Sequence, residues 1–468
     1  MTTETNGRNA TGTDINDRLA ELVNWEDGLI SPEIFIDDEI YRKELEQVFG
    51  RAWIFIAHDS MIAKPGDFFN TYMGGDPVIA IRQKDNSVRV FLNACRHRGM
   101  KICRAEDGNA KNFMCTYHGW TYNTSGELIN VPNLDTAYFN ELDQKRWGLI
   151  EVAQIAQYKG LWFATFDATA PPLEDFLGDM TYYIDSWVDR TPGGIEILPG
   201  VIKWTIHGNW KMGAEQFGGD GYHAVITHAS SLGTFDPGFL KDIKGIEFAS
   251  RQGHGYSMVF DRMTRFADDP LGRYNESQVP DRLERLGDAR ANTVGNFTVF
   301  PNLSGLPGSA NLRMWHPKGP NEFEIWSWTV VDKDAPDSVK QAQRTSAAFT
   351  EGAAGVVETD DGENWDLIGQ MLERGVQTRK MAWNYQMGHG HETDNDPVYP
   401  GRVLRNYFGE GPQRGFYRRW LEFMTSEEWP IAPATEPQRT EHEAISMKAP
   451  AGARAIAAMK GAINADQG

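Results

Sequence analysis

The sequence predicts an α+β protein in which a small all-β domain is inserted into a larger α+β domain. Three observations carry this. Short β-rich runs crowd residues 52–170, a proline-rich break follows at Ala170-Pro171-Pro172, and a helical pattern at 38–49 precedes the β-rich stretch and belongs to the larger body. The expected organisation is 1–51 as the N-terminal part of the larger domain, 52–170 as the inserted β domain, 171–450 as the rest of the larger domain, and 451–468 as a loose tail rich in Ala and Gly.

In chain order, Ile40, Tyr41, Leu45, Val48 and Phe49 share one face of a helix over 38–49. The run from Arg51 to Ile56 turns strand-like. Val78–Ile81 and Val88–Leu92 read as a hairpin around Lys84-Asp85-Asn86-Ser87, and Asn123-Thr124-Ser125-Gly126 is a second turn. Beyond the break, 296–300 and 324–331 read as strands, whereas 340–349 and 363–374 read as helices.

Bulk properties narrow the function classes. The 468 residues carry a net charge of −19, which opposes a nucleic-acid partner, and 12% aromatic content is enough to line a large apolar pocket. No stretch approaches the roughly 18 apolar residues of a membrane span, and the polar Met1-Thr2-Thr3-Glu4 start lacks a signal pattern. Three cysteines without a disulfide framework suit a reducing cytoplasm.

Two clips carry the first chemistry. Cys95-Arg96-His97 is followed, after seventeen residues, by Cys115-Thr116-Tyr117-His118. Two thiolates on one iron and two imidazoles on the other make a Rieske-type [2Fe–2S] cluster, whose neutral histidines raise its potential. Gly99 and Gly119 stand where a loop must bend around such a cluster. A structural Cys2His2 zinc site uses the same residue types and stays open on counts alone. Cys103 is the odd cysteine, expected as a small buried hydrophobe.

A second stretch runs from Asn209-Trp210-Lys211 to His228 and holds Gln216, Asp220, His223 and His228. Histidines five apart do not share a face of a regular helix, so they converge on one ion only if the helix distorts or ends between them. Two histidines and one carboxylate form the facial triad of non-haem Fe(II), with positions open for O2. The acidic turn Thr359-Asp360-Asp361-Gly362-Glu363 offers that carboxylate, although such a run also suits a solvated helix N-terminus.

With both clips, the Asn209-Trp210-Lys211 entry, Asp220-x-x-His223-x-x-x-x-His228 and Asp360-Asp361-Gly362-Glu363-Asn364-Trp365, nearly the whole chain resembles the large (α) subunit of the Rieske non-haem iron aromatic ring-hydroxylating dioxygenases. The likeness is to the naphthalene, biphenyl and polycyclic aromatic hydrocarbon branch. The resemblance implies an antiparallel sheet with helices, helix-grip-like, in the larger domain. It implies Cys95, His97, Cys115 and His118 as cluster ligands, and His223, His228 and Asp361 as iron ligands with Asp360 as the fallback. Asp220 would bridge His223 to a cluster histidine, His118, of a neighbouring subunit, and Gln216 would lie close to the iron.

The activity implied is addition of both atoms of O2 to an aromatic hydrocarbon, giving a cis-dihydrodiol, with electrons from NAD(P)H through a reductase and a ferredoxin. The implied assembly is an α3β3 complex with a small β subunit, or an α3 homotrimer, in the cytoplasm. Phe217, Gly219 and Ala224 would line a pocket without Arg or Lys, which suits an uncharged ring. Glu351 falls where relatives often have an aromatic residue, so an aromatic acid remains open. A Rieske monooxygenase or demethylase uses the same triad, and a Rieske electron carrier without catalytic iron is the non-enzyme reading. Basic Arg96, Arg98, Lys101 and Arg104 could steer an acidic ferredoxin or serve internal pairing.

Overall fold

The computed structural model describes residues 14–230, 243–260, 270–291 and 294–431, so the expected tail lies outside the described residues. The larger part is built on a nine-stranded antiparallel sheet. Its main order is Ile195–Ile197, Glu322–Asp332, Asn311–Gly319, Leu303–Leu306, Val294–Val299, Gly255–Val259, Gly245–Ala249 and Arg402–Leu404. Ile202–Ile206 also pairs with the long strand Glu322–Asp332. The strands expected at 296–300 and 324–331 are Val294–Val299 and Glu322–Asp332.

Five helices matter for the site: α1 (Trp210–Gly219), α2 (Gly221–Thr227), α3 (Asp337–Glu351), α4 (Glu358–Arg374) and α5 (Gly411–Thr425). Helix α1 lies on the sheet. The aromatic edge of Trp315 would meet any Cβ added to Gly213 at 2.4 Å, so a glycine is needed for this close approach. The expected helices at 340–349 and 363–374 are α3 and α4. The acidic run, expected as a turn before its helix, instead forms the first turn of α4, where the helix dipole favours Asp360 and Asp361.

The N-terminal helical pattern is Asp38–Glu44 followed by a π-helical turn, Leu45–Phe49. Ile40, Val48 and Phe49 are buried, and so is Glu44. Its carboxylate accepts from Lys211 Nζ at 2.5 Å, Trp420 Nε1 at 2.8 Å and Trp210 Nε1 at 3.0 Å. A buried ion pair is a net gain only when its remaining polar atoms are also engaged; here two indoles complete the carboxylate, and the ammonium lies over the rings of Phe35, Trp210 and Trp420. Asn209 completes the anchor: its Oδ1 caps Lys211 N, while its amide donates to Phe35 and Pro320 carbonyls. The Asn-Trp-Lys entry thus ties α1 to the N-terminal segment.

The β-rich segment contains three small sheets. One is four-stranded (Val88–Leu92, Asp76–Arg82, Asp67–Met73, Asp107–Asn109), and one is the meander Asn112–Met114, Thr121–Asn123, Leu128–Asn130. Ile54–His58 pairs with Leu161–Thr165 in the third. A separate core of Phe68, Ile79, Ile81, Phe91, Phe113, Trp120 and Tyr122 encloses Cys95 and Cys115. Among the described residues no helix is long and apolar enough to cross a membrane.

Candidate metal centres

The two Cys-His clips fold as near duplicates. Cys95 N donates to Met100 O and Gly99 N to Cys95 O, both at 2.8 Å; Cys115 N donates to Trp120 O at 2.8 Å and Gly119 N to Cys115 O at 2.9 Å. Gly99 and Gly119 take positive φ, 72° and 75°, which lets each loop turn back on its cysteine. Both cysteines are buried, whereas His118 is exposed and His97 partly so. The Nδ1 atoms of His97 and His118 lie 3.1 Å apart, and Trp120 stacks on His97. Two buried thiols on one side and two converging Nδ1 atoms on the other fit a cluster with a thiolate-bound and an imidazole-bound iron.

Asn93 braces the first clip. Its Oδ1 accepts from the backbone N–H of Ile102 and Cys103, and its Nδ2 donates to Cys103 O. Cys103 itself is buried, and its thiol faces the Ala105 carbonyl. Of the four basic residues nearby, Arg96 donates to Gly148 O and packs over Trp147, and Lys101 lies over Tyr72. Arg98 and Arg104 are exposed.

The second centre is assembled from α2 and α4. The helical path breaks at Asp220, between α1 and α2, and α2 ends at Thr227 with His228 as its C-cap. The chain therefore leaves the helix at the second histidine. Their rings meet edge to face with centroids 5.2 Å apart. Nε2 of His223 and Nε2 of His228 each lie 3.4 Å from Asp361 Oδ1, and the three donor atoms fall within 4.8 Å of one another.

These atoms fit a metal. Donors about 2.1 Å from one ion stand roughly 3 to 3.5 Å apart, and Asp361 Oδ1 is a buried oxygen without a hydrogen-bond partner. The far nitrogens are also engaged. His223 Nδ1 donates to the Asp220 carbonyl at 2.5 Å with Asp220 Oδ2 3.5 Å away, and His228 Nδ1 lies 3.2 Å from Asp360 Oδ2. Such outer oxygens, a backbone carbonyl on His223 and a carboxylate on His228, set the tautomer that leaves Nε2 free for a metal. Burial opposes charge on His223, but the Asp220 and Asp361 carboxylates beside it push it up to about 10. Burial would raise Asp361, yet the two imidazoles hold it far below the usual carboxylate range.

Gln216 also faces this point. Trp365 Nε1 donates to Gln216 Oε1 at 2.9 Å, which turns Gln216 Nε2 to 3.3 Å from His223 Nε2. Of the expected pocket residues, Phe217 packs against Trp315 and Trp365. Gly219 sits under Pro412, where any Cβ would clash, and Ala224 is half-buried on α2. Glu351 is buried with its carboxylate 3.0 Å from Arg313 Nη2. Sequence reasoning missed three things here: Asp360 as the His228 partner, Trp365 as the brace of Gln216, and Arg313. The last had a signal, a lone cation in the apolar run Leu312-Arg313-Met314-Trp315.

Residues 52–157 match the Rieske [2Fe-2S] domain, and residues 179–426 match the catalytic domain of the ring hydroxylating alpha subunit. Benzene 1,2-dioxygenase subunit alpha of Pseudomonas putida is 45% identical over 89% of this chain and 96% of its own length. Biphenyl 2,3-dioxygenase subunit alpha of Rhodococcus jostii is 42% identical over 90% and 95%. The crystal structure of naphthalene 1,2-dioxygenase from Rhodococcus sp. bound to indole superposes with a TM-score of 0.79 at 36% identity, covering 88% of this chain and 98% of that one.

Proposed function

The chain belongs to the family of ring-hydroxylating dioxygenase α subunits, and from that premise we propose that it is the terminal oxygenase of a multicomponent system acting on an uncharged aromatic hydrocarbon. The reaction consumes the arene, O2, two electrons and two protons and yields a cis-dihydrodiol. Cys95, His97, Cys115 and His118 would hold the Rieske cluster; His223, His228 and Asp361 would hold the Fe(II). When bound, the cluster supplies electrons one at a time and the Fe(II) centre supplies oxygen activation.

The observation that carries this reading is the placement of two imidazole Nε2 atoms 3.4 Å from one buried carboxylate oxygen, in the same chain as the duplicated Cys-His loops. The protein's own part is positioning. Asp220 and Asp360 orient the rings, Gln216 holds an amide at the reacting side, and Phe217, Trp315 and Trp365 form an aromatic wall. Arg313 carries no free charge for a substrate carboxylate, because Glu351 and Glu358 both pair with it. That favours hydrocarbons over aromatic acids.

The partners follow from the same reading. Electrons come from NAD(P)H through a reductase and a ferredoxin, for which Arg98, next to His97 in the chain, and Arg104, next to Cys103, are exposed and offer a basic landing site. Tyr222 and Ile226 on α2 are 58% and 79% exposed next to the iron ligands. Apolar exposure at that place supports cover by a neighbouring subunit, in an α3 or α3β3 assembly where Asp220 links His223 to the neighbour's cluster histidine. The test is turnover of benzene, biphenyl and naphthalene with the electron-transfer partners under a mixture of 16O2 and 18O2. A cis-diol whose two oxygens come from one O2 molecule supports the reading. A product carrying a single inserted oxygen overturns it.

A further inference from the structure

Arg313 is fully buried on strand Asn311–Gly319, and its guanidinium joins the junction between α3 and α4 to the sheet. Nη2 donates to the Glu351 carbonyl at 2.9 Å and to Glu351 Oε2 at 3.0 Å, at the last residue of α3. Nη1 lies 2.6 Å from Glu358 Oε2, at the first residue of α4. Nε donates to Asn311 Oδ1 at 2.8 Å, and Asn311 is hydrogen-bonded in turn to Ser327 of the next strand. One rigid fork therefore fastens the end of one helix and the start of the next to the sheet.

The same guanidinium reaches the other half of the site. It lies over the rings of Phe217 (4.8 Å), Trp204 (5.6 Å) and Trp315 (5.8 Å). Phe217 adjoins Gln216 on α1, and Asp361 stands one helical turn beyond Glu358 on α4. Resting on the reading of Asp361 as an iron ligand, we infer that Arg313 is a positioning residue that fixes the first turn of α4, through Glu351 and Glu358, so that Asp361 is held opposite His223 and His228.

The physical reason is geometric. Asp361 has no hydrogen bond to hold Oδ1 in place, so its position is inherited from the helix that carries it. That helix has no side-chain N-cap, and its N-cap residue is Val357. The usual means of fixing a first turn is absent, and the Arg313–Glu358 pair stands in its place. Lysine cannot replace the fork, because a point charge cannot serve two carboxylates and a carbonyl in fixed directions.

The test uses the full α chain with its partner subunits and reads Fe(II) binding, not turnover. The mononuclear iron is removed with a mild chelator and returned anaerobically, for wild type, R313K, R313M, E351Q and D361N. Rieske absorbance and thermal midpoint are measured alongside. R313K and R313M are expected to weaken Fe(II) binding about ten- to hundredfold, the effect typical of residues that orient metal ligands, with Rieske absorbance unchanged. E351Q, which removes one carboxylate from the fork, is expected to weaken it less. Wild-type Fe(II) affinity in the folded R313K protein overturns the inference even if its thermal midpoint falls. Should R313M not fold, R313K and E351Q decide. If D361N also keeps wild-type affinity, the ligand reading fails; if D361N alone loses iron, only the role of Arg313 fails.

Discussion

Asp360 and Asp361 are consecutive, yet their carboxylates address opposite nitrogens of one imidazole. Asp360 Oδ2 lies 3.2 Å from His228 Nδ1, and Asp361 Oδ1 lies 3.4 Å from His228 Nε2. The helix makes this possible, because successive residues on α4 point about 100° apart. Asp361 is buried between the histidines, while the Asp360 side chain is 29% exposed at the rim.

Asp360 is therefore expected to tune the iron site without holding it. D360N should retain Fe(II) but bind it about ten- to hundredfold more weakly, as loss of a histidine's outer carboxylate does elsewhere. Anaerobic titration with Fe(II) checks this. Complete loss of iron in D360N would assign the ligand to the wrong aspartate.

Asp220 caps α2, its Oδ1 accepting from His223 N at 3.0 Å, and its other oxygen stands near His223 Nδ1. Asparagine caps a helix as well as aspartate does. D220N is thus expected to fold and to keep both metals, yet lose most of its turnover, because it removes the charge proposed to link the two centres. Single-turnover reoxidation of the reduced cluster in the assembled protein is the measurement. Wild-type reoxidation in D220N would remove Asp220 from the electron route.

His254 predicts how stability follows pH. It is fully buried; its Nε2 donates to Phe176 O at 2.7 Å and its Nδ1 accepts from Phe300 N at 2.9 Å, so neither nitrogen can take another proton. Burial pushes its pKa down to about 3, and burial likewise pushes His58 down to about 4. In the unfolded chain both return to about 6.5. Below that pH the unfolded state binds protons that the folded state refuses, so stability falls as pH drops from about 6.5. The slope is up to about 1.4 kcal/mol per pH unit for each histidine. Urea unfolding between pH 7.5 and 5.5 should show this, and H254Q should flatten the slope by one histidine. An unchanged slope in H254Q would contradict it.

Much of this was legible in the sequence where local pattern and local chemistry coincide. Cys95-x-His97 and Cys115-x-x-His118 could be read because each clip is a complete loop with its own glycine. The five-residue spacing of His223 and His228 required a helix end, and the chain ends α2 at Thr227. What was not legible depends on elements far apart in the chain. Glu44 looks like a surface charge on an amphipathic helix until Lys211, Trp210 and Trp420 close around it. The partners of Glu351 could not be read either: Arg313 lies on a strand 38 residues earlier, and nothing local announces the pairing.

His223, His228 and Asp361 are proposed to hold a catalytic iron separate from the Rieske cluster. Iron per α chain, measured for wild type and D361N beside the Rieske absorbance, tests it most directly. Wild type should carry about three irons and D361N about two, with equal Rieske absorbance and no diol formed by the variant. A D361N protein that keeps the third iron and still oxidises the ring would contradict it.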